Sequence, residues 1–568
     1  MRLMRSNFFQ DFLIGLLLLL VIPLFLGPLF SAGKWPDSHE GVRYLILFDN
    51  FRELVLSGET YPRWLPNLNG GYGYPTFVFY QPLFFFLALP FSLFGAYPDH
   101  TLIITTYFIF WLGAMGIYKM ASIECSMLIA VSVAILFLMT PVLYLELFVR
   151  GDLSELLAVC VSPWCFYNLF KIFQHYENRS GKSQLHTYII YLAITIALII
   201  LAHPITAMYV IGAISAILFY GGLEINRDRN HLYAAGTLAI LLGLIFSAPY
   251  WYGFLISQDL VHLENATGNS FAAENHVVYP QQLVERKWGF GISVKGIADS
   301  MSFQLGLPHF LLAMAGAIIG RKNKIILGSF VVYILLILLM LPASEQIWAQ
   351  VGILNKTQFP WRILSATAVL QCICITGIGR INFAKQSLQL VAIIAILYGV
   401  NQWQMPQYSK GQNEYVMQDQ LKAVKELYPK RFITFAVTNE FLPRSAKQFE
   451  KLTPLNSTSK WFGQDLEIIG ENQNGSTLSA RIYVAKPGEV VLQQLYFPGW
   501  KIYLDDQRIP DATLKRRLLE DGRISIAVGV GTHDLKAYYD SPLSWVERVI
   551  ILLLSVSGIL AVYFKFRS

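Results

Sequence analysis

Apolar runs long enough to cross a bilayer recur through most of the chain, at about 12–30, 101–118, 127–145, 155–170, 187–202, 205–221, 232–250, 308–320, 325–341, 362–379, 387–402 and 543–563. These twelve runs predict a polytopic α-helical membrane protein. From about Trp403 the pattern changes: ARIYVA, VVLQQLYF, KIYL and ISIAVGV alternate apolar and polar residues in the two-residue rhythm of strands. A separate β-rich domain is expected over 403–542, a small sandwich or jelly-roll, with turns at Pro498-Gly499 and Asp505-Asp506. The chain thus divides into a multi-span region, 1–402, the β-rich domain, and a last span with its tail, 543–568.

Composition supports this reading. Of 568 residues, 54% are hydrophobic and only 14% charged, against roughly 25% charged in soluble chains. The net charge of +7 does not point to nucleic acid, because basic residues collect where spans meet the cytoplasm. With the N-terminus inside, the inward segments hold Arg2 and Arg5, Lys119, Lys171, Arg227 and Arg229, Arg321 to Lys324, Arg380, and Lys565 and Arg567, whereas the short outward turns hold only Arg150 and Lys356. That asymmetry places both termini in the cytoplasm and the β-rich domain outside. The first run could be a signal peptide, but no small-x-small site follows it, and a retained span is expected. All five cysteines lie in or beside apolar runs and read as packing residues.

Counting 78–94 as a span would invert every later segment, so it is expected to be interfacial or re-entrant. A large first outer loop, 31–100, results. Within it, 43–56 has the spacing of a helix lying on the membrane surface. A second outer loop, 251–307, is too long to be a turn.

Candidate chemistry gathers on the outer side. Asp37 and His39 follow the first span, where a carboxylate could take a proton from an acceptor hydroxyl; a solvated linker explains them equally well. The turn ELFVRGDLSELL carries Glu146, Arg150, Asp152 and Glu155. Arg150 could clamp a phosphate, and Asp152 or Glu155 could orient an acceptor or hold a divalent cation, while Asp152 and Glu155 also have the spacing of a helix capping box. His203 and Pro204 break a long apolar run at the outer face, as a functional histidine or a polar turn would. NKTQFPWRIL sets Lys356 and Arg362 around an aromatic, fit to cradle an anionic headgroup or simply to anchor a span. There is no Gly-rich phosphate loop, Cys/His metal spacing or nucleophile elbow, which argues against soluble-nucleotide chemistry.

The segments DSHEG, GYGYPTFVFYQPL, RGDLSE, LAHPIT, TQFPWRIL and YFPGWKIYLDD together resemble the YfhO-like and 6-pyruvoyl-tetrahydropterin-synthase-related bacterial membrane proteins, which look like class C glycosyltransferases. The resemblance implies sugar transfer from a polyprenyl-phosphate donor to an envelope glycan, glycolipid or protein acceptor. It casts Asp37 as catalytic base with His39 beside it, Arg150 and Glu155 as pocket residues, and His203 and Arg362 toward the carrier phosphate. A divalent cation, Mg²⁺ or Mn²⁺, on Asp37 and Glu155 is left open, because the paired acids of class C signatures are here Asp37 with His39 and Glu40. Competing expectations are a lipid-linked glycan transporter, which would need polar residues through the inner half of the spans, and a non-catalytic envelope assembly protein, which would tolerate loss of Asp37.

Overall fold

A computed structural model describes residues 2–27, 35–36, 38–93, 98–178, 182–225, 228–266, 271–286, 288–380, 439–452, 455, 459–541 and 549. The helices are α1 (Arg2–Phe25), α2 (Gly41–Leu56), α3 (Pro98–Ala121), α4 (Met127–Leu138), α5 (Leu153–Asn178), α6 (Lys182–Ala202), α7 (Pro204–Gly222), α8 (Arg229–Phe246), α9 (Leu307–Ile319), α10 (Lys324–Met340) and α11 (Leu364–Ile375), with shorter pieces between them. Among the described residues six helices are long and apolar enough to cross a membrane, or up to eight if the bent pairs Met127–Leu138 with Pro141–Arg150 and Lys324–Met340 with Pro342–Gln350 each count as one span. The expected spans at 387–402 and 543–563 lie outside the described residues.

Helix α5 is the centre of the bundle. It packs against α3, α6, α7 and α11, and its apolar stretch is 83% buried; a helix apolar all round belongs inside other helices. By contrast α8 keeps Leu238, Leu241, Leu244 and Ile245 on its outer face, as a helix bordering lipid would.

The loop expected over 31–100 departs from expectation at one point. Residues 43–56 do form a helix, but Tyr44 to Phe51 and Leu54 are all buried, so α2 is an internal element and not a surface one. Its aromatic residues explain this: Phe51 packs on Phe77, Phe85 and Phe86, and Tyr44 on Phe84 and Phe85. The segment 78–94 is broken into the short helices Thr76–Phe79 and Leu83–Ala88 and a 3₁₀ turn, Leu89–Leu93, too short to cross a bilayer.

Eight strands follow, Trp461–Gly463 (β1), Leu466–Asn474 (β2), Thr477–Val484 (β3), Gly488–Leu495 (β4), Trp500–Leu504 (β5), Gln507–Arg508 (β6), Arg523–Val528 (β7) and Gly531–Tyr539 (β8). They form a three-stranded sheet, β1-β4-β7, and a five-stranded sheet, β2-β3-β8-β5-β6, with antiparallel neighbours throughout. Leu478, Ala480, Ile482 and Val484 alternate inward on β3, the signature of a sheet with one face packed. Asp505 and Asp506, both at positive φ, close the two-residue β5–β6 hairpin, the backbone a tight hairpin of matching twist requires.

This β region is stitched to the segment that follows α2. Trp64 donates its indole N–H to Gln494 (2.8 Å), and the Gln494 amide and Lys460 ammonium both donate to the carbonyls of Pro66 and Gly71. Trp64 also packs on Phe497, Trp500 and Tyr539. The segment between α8 and α9 joins through the Val261–Pro443 bridge and the Arg444–Glu264 ion pair. Both segments and the β region therefore gather at one end of the helix bundle.

Candidate functional site

At that end the bent pair Met127–Leu138 and Pro141–Arg150, 42° apart, finishes in a π-helical turn, Leu145–Arg150. Such turns are rare and favour functional sites. The chain then reverses at Gly151, whose φ of 68° is left-handed. A β-carbon there would strike Ser38 Oγ and lie 2.8 Å from the Gly41 nitrogen, so only glycine lets the two segments meet. Asp152 next caps α5, its Oδ1 accepting the Glu155 N–H at 3.0 Å. The capping reading of Asp152 is correct, but the Glu155 carboxylate turns to other partners.

Those partners form a buried ion network. Arg150 donates to Glu146, to Glu155 Oε2 (2.5 Å) and to Asp152 Oδ2 (3.2 Å), and its guanidinium stacks over the Trp361 ring at 4.6 Å. Glu155 further accepts from Ser365 Oγ (2.7 Å) and lies 3.6 Å from Arg362 Nε and 3.7 Å from His203 Nε2. Arg362 donates to the Thr357 carbonyl (3.0 Å) and Gln358 Oε1 (3.1 Å), while its Nε is buried without a hydrogen-bond partner. The Tyr44 hydroxyl donates to Asp152 Oδ1 (2.9 Å) and accepts from the Ser154 N–H (2.9 Å) and the Tyr80 hydroxyl (3.0 Å).

His203 is the N-cap of α7, its Nδ1 accepting the Thr206 N–H at 3.3 Å. That bond assigns the remaining ring proton to Nε2, the nitrogen facing Glu155. The turn reading accounts for His203 locally, and the network accounts for its other face.

The segment after Asp37 lies directly on this network. His39 N–H donates to the Val149 carbonyl (3.0 Å) and Glu40 N–H to the Arg150 carbonyl (2.8 Å). The exposed His39 ring bonds through Nε2 to the Phe290 carbonyl, in the segment between α8 and α9 (2.8 Å). Asp37 itself lies outside the described residues. Lys356 is exposed, next to Thr357, whose carbonyl holds Arg362.

Three carboxylates, Glu146, Asp152 and Glu155, thus face two guanidinium groups and a histidine, all buried. Burial would raise the Asp152 pKa, but Arg150 and then His203 overcome it and hold the group at about 2. Burial lowers the His203 pKa against the pull of Glu155 and Asp152. Burial first, then the Asp152 charge, lifts the Tyr44 hydroxyl well above its ordinary range, so it serves as a fixed donor.

Asp152, Glu155 and His203 each offer a ligand atom, all within 4.8 Å of one another, a set consistent with a divalent cation. Arg150 meets one oxygen of Glu155 at 2.5 Å and one of Asp152 at 3.2 Å, so a metal held here would share these carboxylates with the guanidinium.

Of the residues singled out in the sequence, Arg150, Asp152, Glu155, His203 and Arg362 come together from the π-helical turn, α5, the α6–α7 turn and the start of the last described span. His39 adjoins them through the main chain. Tyr44, Tyr80 and Ser365 were missed; Ser365 was the findable one, as a polar residue inside an apolar run.

Residues 77–408 match the family described as 6-pyruvoyl-tetrahydropterin synthase related domain, membrane protein. No curated protein matches the chain. The apo structure of an oligosaccharyltransferase from Archaeoglobus fulgidus is similar at 12% identity and a TM-score of 0.44, over 75% of this chain and 60% of that one; the match therefore spans less than two thirds of that protein's length. The family match covers more than half of the sequence, and the protein belongs to this family of membrane proteins related to 6-pyruvoyl-tetrahydropterin synthase.

Proposed function

We propose that the protein is a membrane glycosyltransferase that moves a sugar from a polyprenyl-phosphate donor to an extracytoplasmic envelope acceptor. The observation that carries this reading is the convergence of Arg150, Arg362 and His203 with three carboxylates in one buried network, directly beneath the turn that follows Asp37. Asp37 would take the proton of the acceptor hydroxyl as that oxygen bonds to the anomeric carbon. The bond from that carbon to the phosphate oxygen breaks with inversion, and the electron pair leaves on the carrier phosphate. Fixed guanidinium groups stabilise such a departing anion most when water is excluded. Arg362, whose buried Nε makes no hydrogen bond and lies 3.6 Å from Glu155, is the group best placed to receive it; Arg150 orients the network. His39, exposed beside the turn, would hold the acceptor by a hydrogen bond, and Lys356 would meet the donor from the rim.

The test is transfer from radiolabelled polyprenyl-phosphate hexose in membranes holding wild type, Asp37→Asn or Arg362→Gln at matched expression. General base catalysis contributes roughly 100- to 10,000-fold, so turnover by wild type with a collapse of that size in Asp37→Asn is expected. Transfer that survives Asp37→Asn removes Asp37 as base. No transfer by wild type from any carrier removes the glycosyltransferase reading and leaves transport or assembly.

A further inference from the structure

The segment between α8 and α9 carries an apolar strip beside His39. Across 288–294, WGFGISV, the chain has no helix or strand, and its side chains alternate: Phe290, Ile292 and Val294 are exposed by 37%, 69% and 37%, while Gly289, Gly291 and Ser293 turn inward. The inward face is built to stay there. A β-carbon at Gly289 would collide with the Ser300 carbonyl, and one at Gly291 with Ser300 Oγ. Ser293 bonds His276 Nδ1 (2.9 Å), and Val294 N–H donates to Asp299 Oδ1 (2.5 Å), a carboxylate also held by Gln282 (3.0 Å). The outward face is therefore presented by a fixed backbone; Val284 and Ile297 of the same loop are also exposed. Three apolar side chains in a row facing outward mark a contact surface. Its near end is tied to the candidate centre by the Phe290 carbonyl, which bonds His39.

We propose that Phe290, Ile292 and Val294 form the docking surface for the part of the donor's polyprenyl chain nearest its phosphate. The inference rests on the glycosyltransferase reading. A lipid-linked donor whose phosphate reaches the buried arginines must lay its first isoprene units somewhere next to them. This strip runs outward from His39 for about 13 Å if extended, and its side chains have the chemistry of the ligand. Binding there removes apolar surface from water on both partners.

The experiment uses the full chain in nanodiscs of phosphatidylcholine and phosphatidylglycerol, with an environment-sensitive fluorophore on Lys295→Cys in a Cys125→Ser background. Titration with undecaprenyl monophosphate should shift the emission to the blue and saturate, inorganic phosphate should do nothing, and adding Ile292→Asn should weaken half-saturation about tenfold or more. An emission already blue and indifferent to the carrier would place the strip in the bilayer and overturn the proposal. So would a water-like emission throughout, or an Ile292→Asn variant that binds as well as its parent. Binding is read without turnover: a saturable shift in a protein that transfers no sugar keeps the strip and removes the glycosyltransferase reading, and transfer with a silent reporter does the reverse.

Discussion

Arg150 is the only cation that touches all three carboxylates of the network among the described residues, and removing it should cost more than any contact it makes on the surface would. Glu146, Asp152 and Glu155 face the two guanidinium groups of Arg150 and Arg362. Arg150→Met removes one of those two positive charges and leaves its carboxylate partners inside the protein. At an effective dielectric of about 20, opposite charges 2.5 Å apart, as in the Arg150–Glu155 pair, attract by about 7 kcal/mol before desolvation is counted. Breaking such a buried pair from one side leaves a net loss of about 3–5 kcal/mol. Adding Glu155→Gln to Arg150→Met removes one of the stranded carboxylates and returns the net charge to its wild-type value. The double variant should therefore be less destabilised than the two single losses added together, by about 1–3 kcal/mol. Equilibrium unfolding of the purified chain by SDS in mixed micelles, followed by tryptophan fluorescence, measures all four corners of this cycle. Strict additivity, or a loss below about 1 kcal/mol for Arg150→Met, would refute the reading of the network as mutually dependent charges.

Other consequences are open to test. Because Asp152 is held at about 2, below the 3.8 of an unperturbed carboxyl, the unfolded chain binds the extra proton between those values. Its contribution, about 2 kcal/mol, is present above pH 4 and lost as pH falls toward 2; stability-versus-pH curves should be shallower there in Asp152→Asn. Gly151→Ala places a β-carbon against Ser38 and forces a left-handed alanine, at about 1–2 kcal/mol for the backbone alone, and hydrogen exchange at the His39 and Glu40 amides should quicken. Since Arg150 already holds the Asp152 and Glu155 carboxylates, excess EDTA should leave transfer unchanged. Manganese binding read by electron paramagnetic resonance should be absent in wild type and appear in Arg150→Ala; tight binding to wild type would make Asp152, Glu155 and His203 a true metal set.

What could be read without coordinates was whatever depends on local periodicity. Apolar runs of helical length gave the helices of the bundle, because a lipid-facing or bundle-buried helix must satisfy its backbone internally and cover itself with apolar side chains. Two-residue alternation gave the strands, and the Asp505-Asp506 pair gave the hairpin turn. The residues of RGDLSE, His203 and Arg362 stood out because charge near a span is costly and therefore informative.

Convergence was a different matter. Glu155 and Arg362 are more than two hundred positions apart in the chain, and nothing local says that one span's first turn faces another's. The tertiary structure alone placed Arg150, Arg362 and His203 against Glu155. It alone turned α2 from an expected surface helix into a buried one, because its phenylalanines and Tyr44 found aromatic partners in the broken segment that follows. Tyr44 became part of the site for the same reason: its hydroxyl reaches Asp152 only once α2 is packed inside. Periodicity records which face of an element avoids water, and the choice of partner for that face is made by packing between segments distant in the chain.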